Sequence, residues 1–169
     1  MLNDLTLQLI AQRHALGLNV SELADLPAIA QDKRVISDYE RGRRIPAQSY
    51  VGAMGLISMH YSLLLRLVLR DIDAHRFKHP LPKTDDAAEY FTRLESVDFI
   101  ALPYFADFER FKSTTGNTNK GYWRIWQSVI GHLSLIGKIL RINDDAPLPD
   151  SFTNSKDWLA LKYEATEED

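Results

Sequence analysis

The chain has 169 residues, of which 45% are hydrophobic and 25% are charged, and its formal net charge is −3. This length allows one domain, or a small domain with a helical appendage, and the composition excludes a fibrous or wholly disordered chain. Because the sequence has no cysteine, disulfides and thiolate chemistry are excluded, and we expect a protein of the reducing cytoplasm. The slightly negative net charge means that any contact with nucleic acid must come from a local basic patch.

The most apolar stretch, residues 51–69, is long enough to span a bilayer. It contains His60 and Arg66, and an arginine at mid-span costs about 2.5–3.5 kcal/mol on insertion. The N-terminus also lacks the basic and apolar regions of a secretory signal. We therefore expect a buried or dimer-facing helix at 51–69 and no membrane partner.

The N-terminal part of the chain begins with two predicted helices. Apolar residues at helical spacing predict a helix over residues 5–16, which Gly17 ends because glycine accepts left-handed backbone angles. Asn19, with Glu22 three residues later, forms the pattern of a capping box. A second helix is therefore expected to begin directly after Asn19.

Two further helices are expected to complete this part of the chain. Pro27 ends or bends the second helix. Asp32 is a favourable cap for a third helix over residues 33–41, which Gly42 closes. Pro46 begins a fourth and longer helix that we expect to reach Arg76.

The second half of the chain is predicted to contain short elements and one long helix. Prolines interrupt the chain at 79–82. After this break we expect a helix that is capped by Asp85 or Asp86 and ends at Leu94, followed by a strand at 97–105 that Pro103 places at a sheet edge. A helix at 106–114, a loop at 116–119 and a helix at 122–140, with Leu133 and Ile136 facing inward, come next. The chain is then expected to continue with a linker at 143–154 and a last helix at 158–163.

The third predicted helix carries a local concentration of positive charge. Residues 32–44 contain five basic side chains and three acidic ones: Lys33, Arg34, Arg41, Arg43 and Arg44 against Asp32, Asp38 and Glu40. A short helix that is braced by the helix before it and carries exposed basic residues fits a major groove about 12 Å wide. The sequence therefore predicts a helix-turn-helix in which residues 32–41 form the recognition helix.

Residues 13–24, RHALGLNVSELA, and residues 36–46, ISDYERGRRIP, resemble the helix-turn-helix of phage repressors of the Cro/C1, XRE type. The long helix after Pro46, the strand near 99–104 and WRIWQSV at 123–129 resemble the YdiL-like family, which includes anti-CRISPR-associated autorepressors.

The likeness covers about residues 5–75 and 97–135. It implies a mainly α protein in which a lambda-repressor-like bundle at 1–76 is followed by a smaller α+β dimerisation region at 84–140 and a tail at 141–169. It further implies a homodimer bound to an inverted repeat in double-stranded DNA.

The resemblance also assigns roles to individual residues. It implies base contacts by Lys33, Arg34 and Ser37, phosphate contacts by Arg41, Arg43 and Arg44, and a buried structural ion pair of Arg13 with Glu40. The sequence departs from the family pattern at three places. Val20 stands where many repressors have a glutamine, the turn at 27–31 is about two residues longer, and Asp38 on the exposed face would repel phosphate unless it accepts from a cytosine amino group.

Other patterns are more typical of structure than of chemistry. Asp71, His75 and His79 could present metal ligands from one helix face, but a solvated helix end is the simpler interpretation. Aromatic residues between 105 and 126 favour a core over a stacking platform. Gly52 and Gly55 indicate close helix packing, for example across a dimer axis, and Gln127 with Ser128 indicates a hydrogen-bond network at a dimer or domain junction.

Two hypotheses of function follow from the sequence. The first is a homodimeric DNA-binding regulator that represses transcription by occupying an operator. The second is a helix-turn-helix scaffold retained as a protein–protein interaction module without DNA binding, which the acidic second half and Val20 favour. The sequence has no phosphate-binding loop, nucleophile elbow or His-Glu-x-x-His motif, so we expect neither an enzyme nor a cofactor.

Overall fold

The computed structural model describes residues 2–97, 100–138, 141–143, 145–146 and 149. Over these ranges the chain is mainly helical, as the sequence predicts. The predicted helix at 158–163 and most of the predicted linker lie outside the described residues. The elements in chain order are α1 (Asp4–Ala15), α2 (Val20–Ala24), α3 (Lys33–Glu40), α4 (Gln48–Lys78), α5 (Ala87–Leu94), β1 (Ala101–Leu102), α6 (Phe108–Thr115), α7 (Lys120–Leu135) and β2 (Arg141–Ile142).

Local signals define the ends of the first helices. The side chain of Asn19 accepts from the Glu22 backbone N–H while the Glu22 carboxylate accepts from the Asn19 N–H, so the predicted capping box is confirmed. Gly17 and Gly42 have φ angles of 73° and 67°, which only glycine adopts without strain. These caps fix where α1, α2 and α3 begin or end.

The longest helix, α4, has 31 residues and is therefore about 46 Å long. It begins at Gln48, two residues after Pro46, and continues past the expected Arg76 to Lys78. Within the described part of the chain it is the one helix long and apolar enough to cross a membrane. One of its faces is buried in the fold, through residues such as Met54, Leu64 and Ile72.

The predicted strand at 97–105 is too long. The described part of it contains only β1, which pairs in parallel with β2, a strand that lies in a segment expected to be a tail. Pro103 follows the strand and is buried rather than exposed at an edge. Its carbonyl accepts from the indole N–H of Trp126 at 2.9 Å, so this segment of extended chain pairs with a side chain instead of a neighbouring strand.

The last long helix, α7, is displaced relative to the prediction. It begins at Lys120 under the Asn119 cap and ends at Leu135, well before residue 140, because Gly137 adopts a left-handed φ of 72°. Ile136, expected to face inward, is exposed, whereas Leu133 is fully buried. Residues 139 and 140 lie outside the described ranges.

One hydrophobic cluster runs through both halves of the chain, from Leu9 in α1 to Leu133 in α7. Trp126, Phe105 and Phe111 are fully buried in it, which confirms the core interpretation of these aromatic residues. A polar network joins three helices at the same junction. The Ser128 hydroxyl donates to the Ala15 carbonyl at 2.9 Å, and the Tyr61 hydroxyl contacts both Ser128 and His132.

Candidate nucleic-acid interface

Helix α3 has one buried and one exposed face. Ile36 is fully buried, and Tyr39 is buried with its ring centroid 5.1 Å from that of Tyr50 in α4. Lys33 and Arg34 are exposed on the opposite side. The apolar spacing of the helix thus directs its basic N-terminal residues to solvent.

An open cleft of about 530 Å³ lies between the beginning of α2 and the exposed side of α3. The three residues predicted to contact bases, Lys33, Arg34 and Ser37, line this cleft together. The opposite wall is formed by Asn19, Val20 and Ser21. Sequence reasoning missed the lining role of Ser21, although its position in the first turn of α2, facing a basic helix, was a usable signal.

The first turn of α3 is held by Asp32. Its carboxylate accepts from the backbone N–H groups of Arg34 at 2.7 Å and Val35 at 3.1 Å. The hydrogen bond from the Val35 N–H is the larger cause, and that from the Arg34 N–H the next, of a pKa of Asp32 below its ordinary value. Asp32 is thus engaged with the backbone and orders the turn that carries Lys33 and Arg34.

The three residues predicted to contact phosphates lie beyond the other end of α3. Arg41 is its C-terminal cap, and Arg43 and Arg44 follow Gly42 in exposed positions. Asp38 lies between them, with ion-pair distances of 3.6 Å to Arg43 and 3.5 Å to Arg44. Its side chain is 28% exposed, and its position beside both arginines partly neutralises their charge.

Arg13 connects α1 with α3 and with the loop that precedes α2. Its Nε and Nη2 donate to the two carboxylate oxygens of Glu40 at 2.6 Å and 2.8 Å, and its Nη1 donates to the carbonyl of Leu18 at 2.7 Å. The side chains are 9% and 17% exposed. Because Glu40 is held in this pair, it does not oppose the positive charge on the outer side of α3.

The longer turn before α3 is not a loose insertion. Ala28 and Ile29 are buried in the core, and the Ile29 N–H donates to the Leu26 carbonyl at 2.9 Å. The additional residues therefore contribute apolar contacts to the core. This packing explains how the chain accommodates a turn that the sequence marks as unusual.

The basic residues after α3 fold back toward the helix. The backbone N–H groups of Arg43 and Arg44 donate to the Asp38 carbonyl at 2.8 Å and 3.3 Å, so these two arginines lie beside the last turns of α3. At His75 and His79 the ring centroids are 4.6 Å apart. Among the described residues, no group of three potential metal ligands is found, at Asp71 or elsewhere.

No family model matches the chain, and no curated protein is significantly similar to it.

Proposed function

We propose that this chain is a sequence-specific DNA-binding regulator, a homodimeric repressor that recognises an inverted repeat through α3. In this proposal α2 and α3 form a helix-turn-helix of the phage-repressor type, and the protein is related to the YdiL-like family. The observation that carries it is the position of Lys33, Arg34 and Ser37 on one open cleft of a helix whose other face lies in the core.

The charges divide into two roles under this proposal. Lys33 and Arg34 stand at the N-terminal end of α3, where recognition helices meet base edges. Arg41, Arg43 and Arg44 lie beyond its C-terminal end, where they would meet phosphates. A long arginine side chain beside guanine O6 and N7 gives the commonest specific contact. Repression requires only occupancy of the operator, so we expect no cofactor.

A second copy of the chain is part of the proposal. The outer face of α4 exposes Gly55, Met59 and Leu63 at helical spacing, with Met59 57% exposed. A Cβ at Gly55 would have no described atom within 4 Å, so packing among the described residues does not account for this glycine. An apolar stripe that contains a glycine allows the same helix of a second copy to approach closely. Since the proposed partner is operator DNA, the proposal also implies a cytoplasmic protein.

The alternative is an interaction module without DNA binding. The observation that favours it is Asp38, which lies near Arg43 and Arg44 and lowers the free positive charge beyond α3. These exposed pairs are weak, because their distances are long and water screens them. Phosphates would compete well for the same arginines, so we favour DNA as the partner.

The test is fluorescence anisotropy of the purified protein on a duplex chosen by site selection and on a scrambled duplex, over a salt series. Arg34→Ala should reduce discrimination between the duplexes. Arg43→Ala should weaken binding to both and lower the salt slope by about 1. Lys83→Ala, which removes an exposed charge between α4 and α5, is the control and should change neither. Equal behaviour of all three variants would refute the proposal.

A further inference from the structure

Helix α7, in the second half of the chain, and its cap residue Asn119 contact α2 through two side-chain hydrogen bonds. The side-chain amide of Asn119 donates to the carbonyl of Asp25, the C-terminal cap of α2, at 2.8 Å. Five residues further on, Arg124 Nε donates to Glu22 Oε1 at 3.0 Å. Between them, a Cβ at Gly121 would lie 3.1 Å from the Glu22 carbonyl oxygen, a contact tight enough that a larger residue would require α2 or α7 to shift. Both ends of α2 are therefore fixed by α7.

Glu22 connects this brace to the beginning of α2. One of its oxygens accepts from Arg124, while the other accepts from the Asn19 backbone N–H at 3.0 Å and closes the capping box. Glu22 is buried, whereas Arg124 is half-exposed and extends over the ring of Trp123. Removing the guanidinium would leave a buried carboxylate held by the cap alone.

The position of α2 depends on such tertiary contacts. A helix of five residues is far too short to be stable by itself, so its orientation is set by what packs against it. Its first residues, Asn19, Val20 and Ser21, form the wall of the cleft that faces Lys33 and Arg34. Arg124 is absent from that lining and borders a separate cleft with Arg13 and Glu22. The two clefts share Asn19, and the hydrogen bonds of Glu22 connect Arg124 to that residue.

We propose that Arg124 is a positioning residue for DNA recognition: by bracing Glu22 it fixes the wall of the cleft opposite the basic end of α3. This inference rests on the proposed function, because it names a determinant of how the same cleft meets DNA. It also makes α7 the element through which the second half of the chain influences recognition.

The test compares Arg124→Ala with wild type on the selected and scrambled duplexes. We expect about a tenfold loss of affinity on the selected duplex, a much smaller loss on the scrambled one, and an unchanged salt slope, because no phosphate contact is removed. A partly unfolded variant would instead lose binding to both duplexes equally. Arg124→Lys should recover part of the discrimination, and Lys120→Ala, an exposed charge at the beginning of α7, is the matched control.

A double-mutant cycle with Glu22→Gln tests the route of the effect. Glu22→Gln keeps an oxygen for the Asn19 N–H but weakens the pair with Arg124, so the double variant should bind no more weakly than Arg124→Ala alone. A salt slope lowered by about 1 in Arg124→Ala would mean direct phosphate contact and overturn the inference. If wild type binds the selected duplex specifically and Arg124→Ala discriminates between the two duplexes equally well, the inference is also overturned. If wild type itself shows no specific binding, the proposed function is overturned instead.

Discussion

The guanidinium of Arg13 binds both carboxylate oxygens of Glu40, at 2.6 Å and 2.8 Å, and so ties the last residue of α3 to α1. The geometry is the bidentate arrangement that gives arginine–carboxylate pairs their strength and direction. The pair therefore fixes how α3 lies against the helix that carries Arg13.

Removing one partner of this pair should be strongly destabilising. We expect Glu40→Ala to lower the free energy of unfolding by about 3–5 kcal/mol, because the mostly buried Arg13 would keep its charge without a partner. Urea unfolding followed by circular dichroism measures the change. The double variant Arg13→Met/Glu40→Leu should lose much less, and an equal loss in both variants would contradict this account of the pair.

Two glycines of α7 provide a matched pair of substitutions. Gly121→Ala should destabilise by about 1–3 kcal/mol, since its methyl group would lie 2.7 Å from a Leu26 carbon and 3.1 Å from the Glu22 carbonyl oxygen. Gly131→Ala has open space and should stabilise by about 0.5–1 kcal/mol. Thermal unfolding midpoints measure both. A tolerated Gly121→Ala would show that α7 does not approach α2 this closely.

Burial of His60 in α4 should make stability depend on pH. Burial lowers its pKa below 6.5, so the unfolded chain binds the proton more readily than the folded one. Stability contributed by the neutral ring is therefore present above pH 6.5 and is lost as the pH falls through that value toward the folded-state pKa. His60→Leu should flatten the pH dependence of the unfolding midpoint between pH 7 and about pH 5. His14→Gln, at an exposed position, should leave it steep, and the reverse result would contradict the assignment.

The proposed dimer face on α4 can be tested by reversing its polarity. Met59→Glu should convert the dimer to a monomer in sedimentation equilibrium and weaken operator binding, because the apolar stripe would carry two like charges across the symmetry axis. Leu135→Glu introduces the same charge at an 84% exposed leucine on α7. Dissociation by Leu135→Glu alone would place the interface at the end of α7 instead.

The sequence predicts the first helices well because their ends are determined by neighbouring residues. The capping box of Asn19 with Glu22 and the positive φ at Gly17 and Gly42 act over three or four residues, so the pattern alone identifies them. The inward direction of Ile36 and Tyr39 follows from helical spacing in the same way. The three residues on the cleft wall, Lys33, Arg34 and Ser37, come together for the same local reason.

In the second half of the chain, the structure depends on contacts between distant residues, which local sequence patterns do not predict. Residues 97–105 favour a strand by propensity, whereas the strand pairing among the described residues joins only Ala101–Leu102 with Arg141–Ile142, a partner far along the chain. The ion pair of Arg124 with Glu22 joins residues 102 positions apart, and no local sequence pattern around either residue predicts it. The ion pairs of Asp38 with Arg43 and Arg44 could not be predicted either, because helical spacing does not place side chains that follow the helix.

The most direct test of DNA reading by α3 is selection of binding sites from a random duplex library with wild type and with Arg34→Ala. The account predicts that wild type enriches an inverted repeat with half-site centres about 34–36 Å apart. It also predicts that Arg34→Ala loses the base preference at one symmetric position of each half-site. Enrichment of no motif by wild type, or of the same motif with the same preferences by Arg34→Ala, would contradict the account.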